Sequence, residues 1–305
     1  MSKKIILLAG PTASGKSKLA IQLAIKINGE IINADSMQVY KEFKILSSRP
    51  NNSNIKKIRH HLYGFLSAKN YFSVGDWLKI LKEKIKTCHK NHKVPIIVGG
   101  TGLYFKAITK GISKIPHIDN KTRNKARLLF KKLGKEEFYK KLLKIDPKIK
   151  NKILKSDTQR LQRAYEVKLK TKKSLFDWIA NTKSEFVNYE LKKIYINTPR
   201  NELLRNIKTR INLMFEDDCI SEVKKFNKCK IKKTLSANKL IGVSEINLFL
   251  KGQISLNDCK ELINIKTRQY AKRQNTWARG HMKTWIKLYS NDFTVLLKKT
   301  LKVVS

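Results

Sequence analysis

Five apolar residues, Ile5, Ile6, Leu7, Leu8 and Ala9, run straight into Gly10-Pro11-Thr12-Ala13-Ser14-Gly15-Lys16-Ser17, and helical periodicity follows over residues 18–27. A G-x-x-x-x-G-K-[ST] segment set between a buried strand and a helix has the form of a phosphate-binding loop, and its context constrains as much as its spelling. Gly10 and Gly15 let the backbone turn tightly, so that successive N–H groups point into one concavity where a helix N-terminus adds positive partial charge. Such a cup takes a di- or triphosphate. Lys16 is expected to reach the outer phosphate oxygens. Ser17 is expected to offer its hydroxyl to Mg²⁺, a cation that keeps several waters and takes few protein ligands.

The fold class follows from alternation along the chain. Residues 30–34 read as a second strand ending in Asp35-Ser36-Met37-Gln38-Val39-Tyr40, and residues 94–98 as another ending in Gly99-Gly100-Thr101-Gly102-Leu103-Tyr104. An amphipathic helix is expected between them, over residues 73–89. Groups at the carboxyl ends of strands in an open α/β sheet face one crevice, which places Asp35 and Thr101 beside the phosphate loop. Residues 115–189 turn helical and basic, with breaks at Gly134 and Asp146-Pro147. Residues 191–197 then read as a strand, and residues 201–226 and 240–285 as mostly helical. The expectation is an α/β protein with a P-loop NTPase-like parallel sheet core, residues 1–114 and 190–305, carrying a helical insertion over residues 115–189. Residues 41–71 read as irregular, and their His60-His61 pair as structural rather than metal-binding.

Charge bears on the partner. Lys and Arg number 67 against 23 Asp and Glu, a formal +44. Phosphate neutralisation by Lys and Arg dominates nucleic-acid affinity, so a polyanionic partner is the direct inference, with a Lys-, Asn- and Ile-rich codon bias as the bland alternative. Position discriminates better than the total. Residues 120–173 hold 20 Lys and Arg against 5 Asp and Glu, about twice the chain's average charge density, and nucleic acid is expected there. In the tail, Arg268, Lys272, Arg273 and Arg279 interleave with Tyr270, Trp277 and Trp285. That pattern serves nucleic-acid binding or a solvated helix face with inward aromatics equally well.

Cys88, Cys219, Cys229 and Cys259 stand far apart with no Cys-x-x-Cys, which suggests free buried thiols in a reducing compartment rather than a zinc site or disulfides. No apolar run approaches the roughly 20 residues of a membrane helix. The Lys3-Lys4 start before residues 5–9 belongs to the loop's strand rather than to a signal peptide, so a cytoplasmic protein is expected. From the loop alone, a nucleotide or small-molecule kinase, a prenyltransferase of free adenine nucleotides, and an RNA-binding protein with a nucleotide switch remain open.

Taken in order, these segments resemble the tRNA dimethylallyltransferases through nearly the whole chain. The likeness rests on Gly10 to Ser17, Asp35-Ser36-Met37-Gln38-Val39-Tyr40, His60-His61-Leu62, Val98-Gly99-Gly100-Thr101-Gly102-Leu103-Tyr104 and Asp157-Thr158-Gln159-Arg160-Leu161-Gln162-Arg163-Ala164-Tyr165-Glu166-Val167. In the tail it continues with Ile241-Gly242 and Thr267-Arg268-Gln269-Tyr270-Ala271-Lys272-Arg273-Gln274-Asn275-Thr276-Trp277. The resemblance implies attack by the exocyclic amine of the adenosine immediately 3′ of the anticodon on dimethylallyl diphosphate, in a monomeric enzyme. Asp35 is then the candidate base, Thr101 a hydrogen-bonding group at the reacting centre, and Lys16 and Arg210 the cations that stabilise leaving diphosphate. Asp35, Ser36, Met37, Gln38 and Thr101 are implied to contact the flipped base. Arg123, Gln159, Arg160, Leu161, Gln162 and Arg163 are implied to hold the anticodon stem-loop. The chain departs from the family's usual pattern at Leu46, where a glycine is usual, at Asn206, usually arginine, and at Val243-Ser244, usually an aromatic and a basic residue.

Overall fold

The computed structural model describes residues 3–50 and 58–305. Six strands among them form one sheet: β1 (Lys4–Ala9), β2 (Gly29–Asn33), β3 (His60–His61), β4 (Val94–Gly99), β5 (Glu190–Ile196) and β6 (Ile286–Leu288). Their spatial order is β3-β2-β4-β1-β5-β6, and every pairing is parallel. A parallel sheet is covered on both faces, and Ile5, Ile6, Leu7 and Leu8 are accordingly all fully buried. On one face, α1 (Lys16–Lys26) and α11 (Phe293–Val304) pack Leu19, Leu23 and Leu296 against Ile6, Leu8 and Ile96. The chain has the expected P-loop NTPase-like core.

Because β4 lies between β1 and β2, the carboxyl ends of all three strands are neighbours. Asn33 pairs with Val98 and Ala9 with Gly99. The Ala34 N–H donates to the Val98 carbonyl at 2.7 Å and the Thr101 N–H to the Ala34 carbonyl at 3.2 Å. A Cβ at residue 99 would lie 2.1 Å from the Ala34 carbonyl oxygen, so this approach requires glycine. α2 (Val74–Lys90) starts with a capping box, Ser73 and Asp76 satisfying each other's backbone N–H groups. Its buried Trp77 donates to the Asn33 carbonyl at 3.0 Å and stacks on Tyr104 of α3 (Gly102–Lys110) with centroids 4.0 Å apart.

Two local expectations need correction. The His pair lies in a strand, not in irregular chain: Ile31 pairs with His60 and Ile32 with His61, while the buried His61 Nε2 sits 2.6 Å from Glu30 Oε2. A two-residue strand has no periodicity to read. Residues 51–57 of that stretch lie outside the described residues. The single helical pattern over residues 201–226 is two helices, α7 (Arg200–Glu216) and α8 (Cys219–Lys228), broken where Asp218 adopts φ 66° and caps the second by accepting from the Ser221 N–H. α9 (Val243–Leu250) and α10 (Leu256–His281) complete this region.

The chain divides into two compact units, Met1–Ile108 with Phe186–Ser305, and Thr109–Glu185. The second holds α4 (Asn120–Ile145), α5 (Thr158–Thr171) and α6 (Leu175–Ala180) around Ala126, Phe138, Leu142, Leu161 and Tyr165. Gly134, at φ 69° and ψ 178°, breaks α4, and Pro147 opens a short 3-10 turn. Among the described residues no helix is long and apolar enough to cross a membrane.

Trp77→Phe leaves the buried Asn33 carbonyl without its donor and opens a void beside Tyr104. It is expected to lower the unfolding free energy by about 1–3 kcal/mol, measured by urea denaturation.

Candidate active site

The phosphate loop is held from outside by side chains far away in sequence. Gln274 Oε1 accepts from the Thr12 N–H at 2.8 Å, Asn206 Nδ2 donates to the Ala13 carbonyl at 3.1 Å, and Arg210 Nη1 donates to Thr12 Oγ1 at 2.7 Å. Within the loop, Lys16 Nζ donates to the Pro11 carbonyl at 3.0 Å, and Ala13 and Gly15 take φ of 61° and 78°. The buried Ser14 hydroxyl has no hydrogen-bond partner among the described residues, although buried polar groups are normally paired. Burial pulls the Lys16 ammonium down to about 8; Asp35 opposes that shift and Arg210 adds to it. Arg210 is lowered by burial too, again with Asp35 opposing. Two desolvated cations and an orphaned hydroxyl around one loop form a receptor for an anion.

Across the crevice, the turn after β2 is fixed by Asn33, which is completely buried. Its Nδ2 donates to the carbonyls of Asp35 at 2.9 Å and Leu62 at 3.0 Å, and its Oδ1 accepts from the Asp35 N–H at 2.8 Å. Asp35 Oδ1 in turn accepts from the Met37 N–H at 2.9 Å, leaving Oδ2 without a hydrogen-bond partner among the described residues. Thr101 Oγ1 accepts from the Ser36 N–H at 3.0 Å and is hydrogen-bonded to Tyr270. Burial, reinforced by the Asp35 charge, pushes the Tyr270 phenol above its usual range. Asp35, Ser36, Thr101, Lys16 and Arg210 are thus brought together.

Sequence reasoning did not assign the third wall, which is α10. Tyr270, Gln274 and Trp277 stand at i, i+4 and i+7 on one helix face, and that spacing is the signal that would have found them. Gln274 ties the loop to the opposite turn by also donating to the Gly100 carbonyl at 3.0 Å. A Cβ on Gly102 would lie 2.4 Å from the Trp277 ring, so the glycine there lets the indole lie over the start of α3. The cavity between these walls measures about 280 Å³ and is lined by Gly10, Ser36 and Thr101 together with the apolar Phe105, Trp277, Ala278 and Met282. Trp285, which the sequence left between RNA contact and core, is buried edge-on against Phe105, with centroids 5.4 Å apart.

Residues 38–281 match the IPP transferase family. The chain belongs to that family. It is 54% identical to the tRNA dimethylallyltransferase of Pelagibacter ubique, over 98% of this chain and 96% of the relative. It is 42% identical to that of Rickettsia massiliae, over 99% and 84%. Among solved structures, it is similar to the tRNA isopentenylpyrophosphate transferase of Bacillus halodurans, with a TM-score of 0.70, 30% identity and coverage of 98% and 95%. It is also similar to a eukaryotic dimethylallyltransferase captured acting on tRNA, with a TM-score of 0.83, 28% identity and coverage of 96% and 75%.

Of the residues expected to touch RNA in this IPP transferase, Leu161 has a structural duty instead, and Gln38 has one beside it. Leu161 is fully buried in the core of the helical unit, because α5 packs that face against Phe138 and Leu142. Gln38 commits its amide nitrogen to the carbonyls of Ser47 and Ser48, at 2.9 and 3.0 Å, leaving only its oxygen for a base. Gln159 and Arg160 are exposed in the first turn of α5, Gln162 and Arg163 are half-buried further along it, and Arg123 is half-buried on α4. The departures at Leu46 and Val243 are core residues of one cluster, and Leu46 packs directly over Gly242.

Asn33→Ala strips partners from two carbonyls and one N–H around Asp35. Urea unfolding is expected to show a loss of about 1–3 kcal/mol, and an unchanged midpoint would mean that the turn is held by other groups.

Proposed function

We propose that this chain transfers the dimethylallyl group of dimethylallyl diphosphate to N6 of the adenosine on the 3′ side of the tRNA anticodon, releasing diphosphate. One observation carries the reading: Ser36 and Thr101, hydrogen-bonded across the turns that follow β2 and β4, line one small cavity with Gly10 of the phosphate loop and with Phe105, Trp277 and Met282. The kinase alternative raised by the loop lacks the support that family membership lends to prenyl transfer.

The diphosphate lies on the loop N–H groups between Lys16 and Arg210, displacing the Gln274 oxygen from the Thr12 N–H. The prenyl tail enters the apolar recess beside Phe105 and Trp277. The cavity lies just under the roughly 300–1,000 Å³ usual for drug-sized ligands, which suits a five-carbon chain. The target base leaves its stack, at a cost of a few kcal/mol, and Ser36, Met37 and the Gln38 oxygen hold it. The amine lone pair then forms the N–C bond to the first prenyl carbon as the C–O bond to diphosphate breaks. Asp35 Oδ2 accepts the amine proton, and Thr101 orients the nucleophile. Lys16, Arg210 and the loop dipoles stabilise the charge gathering on the leaving group.

Ser17 suits a Mg²⁺ ion: its hydroxyl is a hard oxygen donor, exposed at the start of α1 and facing a cavity of about 910 Å³ that Asp217 also lines. When bound, the ion would neutralise part of the diphosphate charge. In the helical unit, Arg123, Gln159, Arg160, Gln162 and Arg163 grip the anticodon stem-loop. The enzyme works as a cytoplasmic monomer, and its four cysteines are free thiols.

The test is incubation with Mg²⁺, labelled dimethylallyl diphosphate and an anticodon stem-loop, followed by nucleoside mass spectrometry. A prenylated adenosine that vanishes when that base is replaced is expected; phosphoryl transfer from ATP without prenylation would overturn the reading. Asp35→Ala should lower kcat by about 10²–10⁴ while RNA affinity stays within about threefold. Chelation of divalent ions should stop turnover, with recovery on adding Mg²⁺.

A further inference from the structure

No Asp, Glu or Cys stands near His60-His61 in the chain, so the sequence reads the pair as structural. The fold supplies both missing groups. Glu30 and Ile32 point to one face of the sheet, and His61, paired with Ile32, joins them there. Two residues of α2 reach β2, Trp77 at the Asn33 carbonyl and Cys88 at the Glu30 carboxylate. His60 alternates to the other face, where its Nδ1 lies 2.7 Å from the Ile58 carbonyl.

Glu30, His61 and Cys88 are all buried, and each offers a ligand atom within 4.8 Å of the other two, the one such group among the described residues. His61 Nε2 lies 2.6 Å from Glu30 Oε2, and the Cys88 thiol donates to the same oxygen at 3.4 Å. One carboxylate oxygen thus serves two partners. None of the three residues lines the reaction cavity or the space beside Ser17. Burial pushes the Cys88 thiol up to about 12, and the Glu30 charge adds to that. Such a thiol is no nucleophile, because attack requires the thiolate. The same surroundings that resist a second anion favour a cation.

We propose that Glu30, His61 and Cys88 bind a Zn²⁺ ion. Thiolate, imidazole and carboxylate are the ligand types zinc takes, at about 2.3 Å from sulfur and about 2.0–2.2 Å from nitrogen and oxygen. Donors on one tetrahedral ion at those lengths stand roughly 3.3–3.7 Å apart. The Glu30 and Cys88 atoms already meet that spacing, and those of Glu30 and His61 reach it by parting by under about 1 Å. The ion takes the place of the two bridging protons. The thiol proton leaves to solvent, the imidazole binds through Nε2 in its neutral form, and Glu30 Oε1 or a water fills the fourth position. Zn²⁺, one thiolate and one carboxylate sum to zero charge, which a buried site tolerates far better than an unpaired ion. The ion ties edge strand β3 and the last turn of α2 to β2. Because Leu62 follows His61 and its carbonyl holds Asn33, zinc steadies the Asp35 turn from behind without touching substrate.

The test strips the full chain with a chelator, returns it to buffer with excess Mg²⁺ to occupy the Ser17 hydroxyl, and titrates it with Co²⁺ and then Zn²⁺. One equivalent of Co²⁺ is expected to give a thiolate-to-metal charge-transfer band that Zn²⁺ bleaches. Cys88→Ser removes the band, whereas Cys229→Ser, which deletes the most exposed thiol, keeps it. Glu30→Gln preserves the side chain's size and is expected to weaken Zn²⁺ binding by at least about tenfold, the least that loss of even an outer partner costs. Zn²⁺ raises the urea midpoint of the natural chain and leaves that of Cys88→Ser unchanged. No band in the natural chain, a band that survives Cys88→Ser, or Zn²⁺ affinity unchanged by Glu30→Gln would overturn the proposal. The natural chain alone decides it where a variant fails to fold, and the measurement needs neither RNA nor a prenyl donor.

Discussion

Two desolvated cations beside one carboxylate organise the site. Lys16 and Arg210 both lose proton affinity through burial, and both feel the charge of Asp35 from the neighbouring strand end. One carboxylate cannot neutralise two cations and also stay free to accept a proton. The free protein therefore keeps loop contacts of modest strength, Lys16 on the Pro11 carbonyl and Arg210 on the Thr12 hydroxyl, until an anion arrives. Under the proposed function a diphosphate provides the missing charge, and assisting its departure is the role assigned to those cations.

The remaining architecture holds that arrangement in register. Placing β4 between β1 and β2 brings three strand ends together, and the glycine at residue 99 lets two of them touch. Asn33 fixes the Asp35 turn, Trp77 fixes Asn33, and the buried Glu30–His61 pair keeps β3 beside β2 so that the Leu62 carbonyl reaches the same amide. Gln274 closes the set by bridging loop and turn from α10. Each link is a buried or half-buried polar contact, so a loss at one is passed to Asp35 through backbone position.

The legible parts of this site were those written in contiguous residues. The phosphate loop and the strand ends at Asp35 and Thr101 show in the sequence because strand, turn and helix succeed one another within about a dozen residues. Asn33 was not legible as a site residue, since its partners lie across the fold; Tyr270 and Gln274 show in the sequence only as one face of a helix, because what that face packs against is set by the fold and not by neighbouring residues. The same limit applies to Leu161, which sits in a motif with Gln159 and Arg163 but turns inward with the helical period. Two-residue β3 and three-residue β6 are too short for any periodicity, and Asp218 in the left-handed region interrupts a pattern that is otherwise continuous.

The most direct measurement is a crystal structure with the non-reactive thiolodiphosphate analogue of dimethylallyl diphosphate. The diphosphate is expected on the loop between Lys16 and Arg210, with the Gln274 oxygen released from the Thr12 N–H, the prenyl tail against Phe105 and Trp277, and the first prenyl carbon facing Asp35 and Thr101. A diphosphate bound elsewhere, or a prenyl chain pointing into the cavity beside Ser17, would contradict the assignment of Asp35 and Thr101 to the reacting centre.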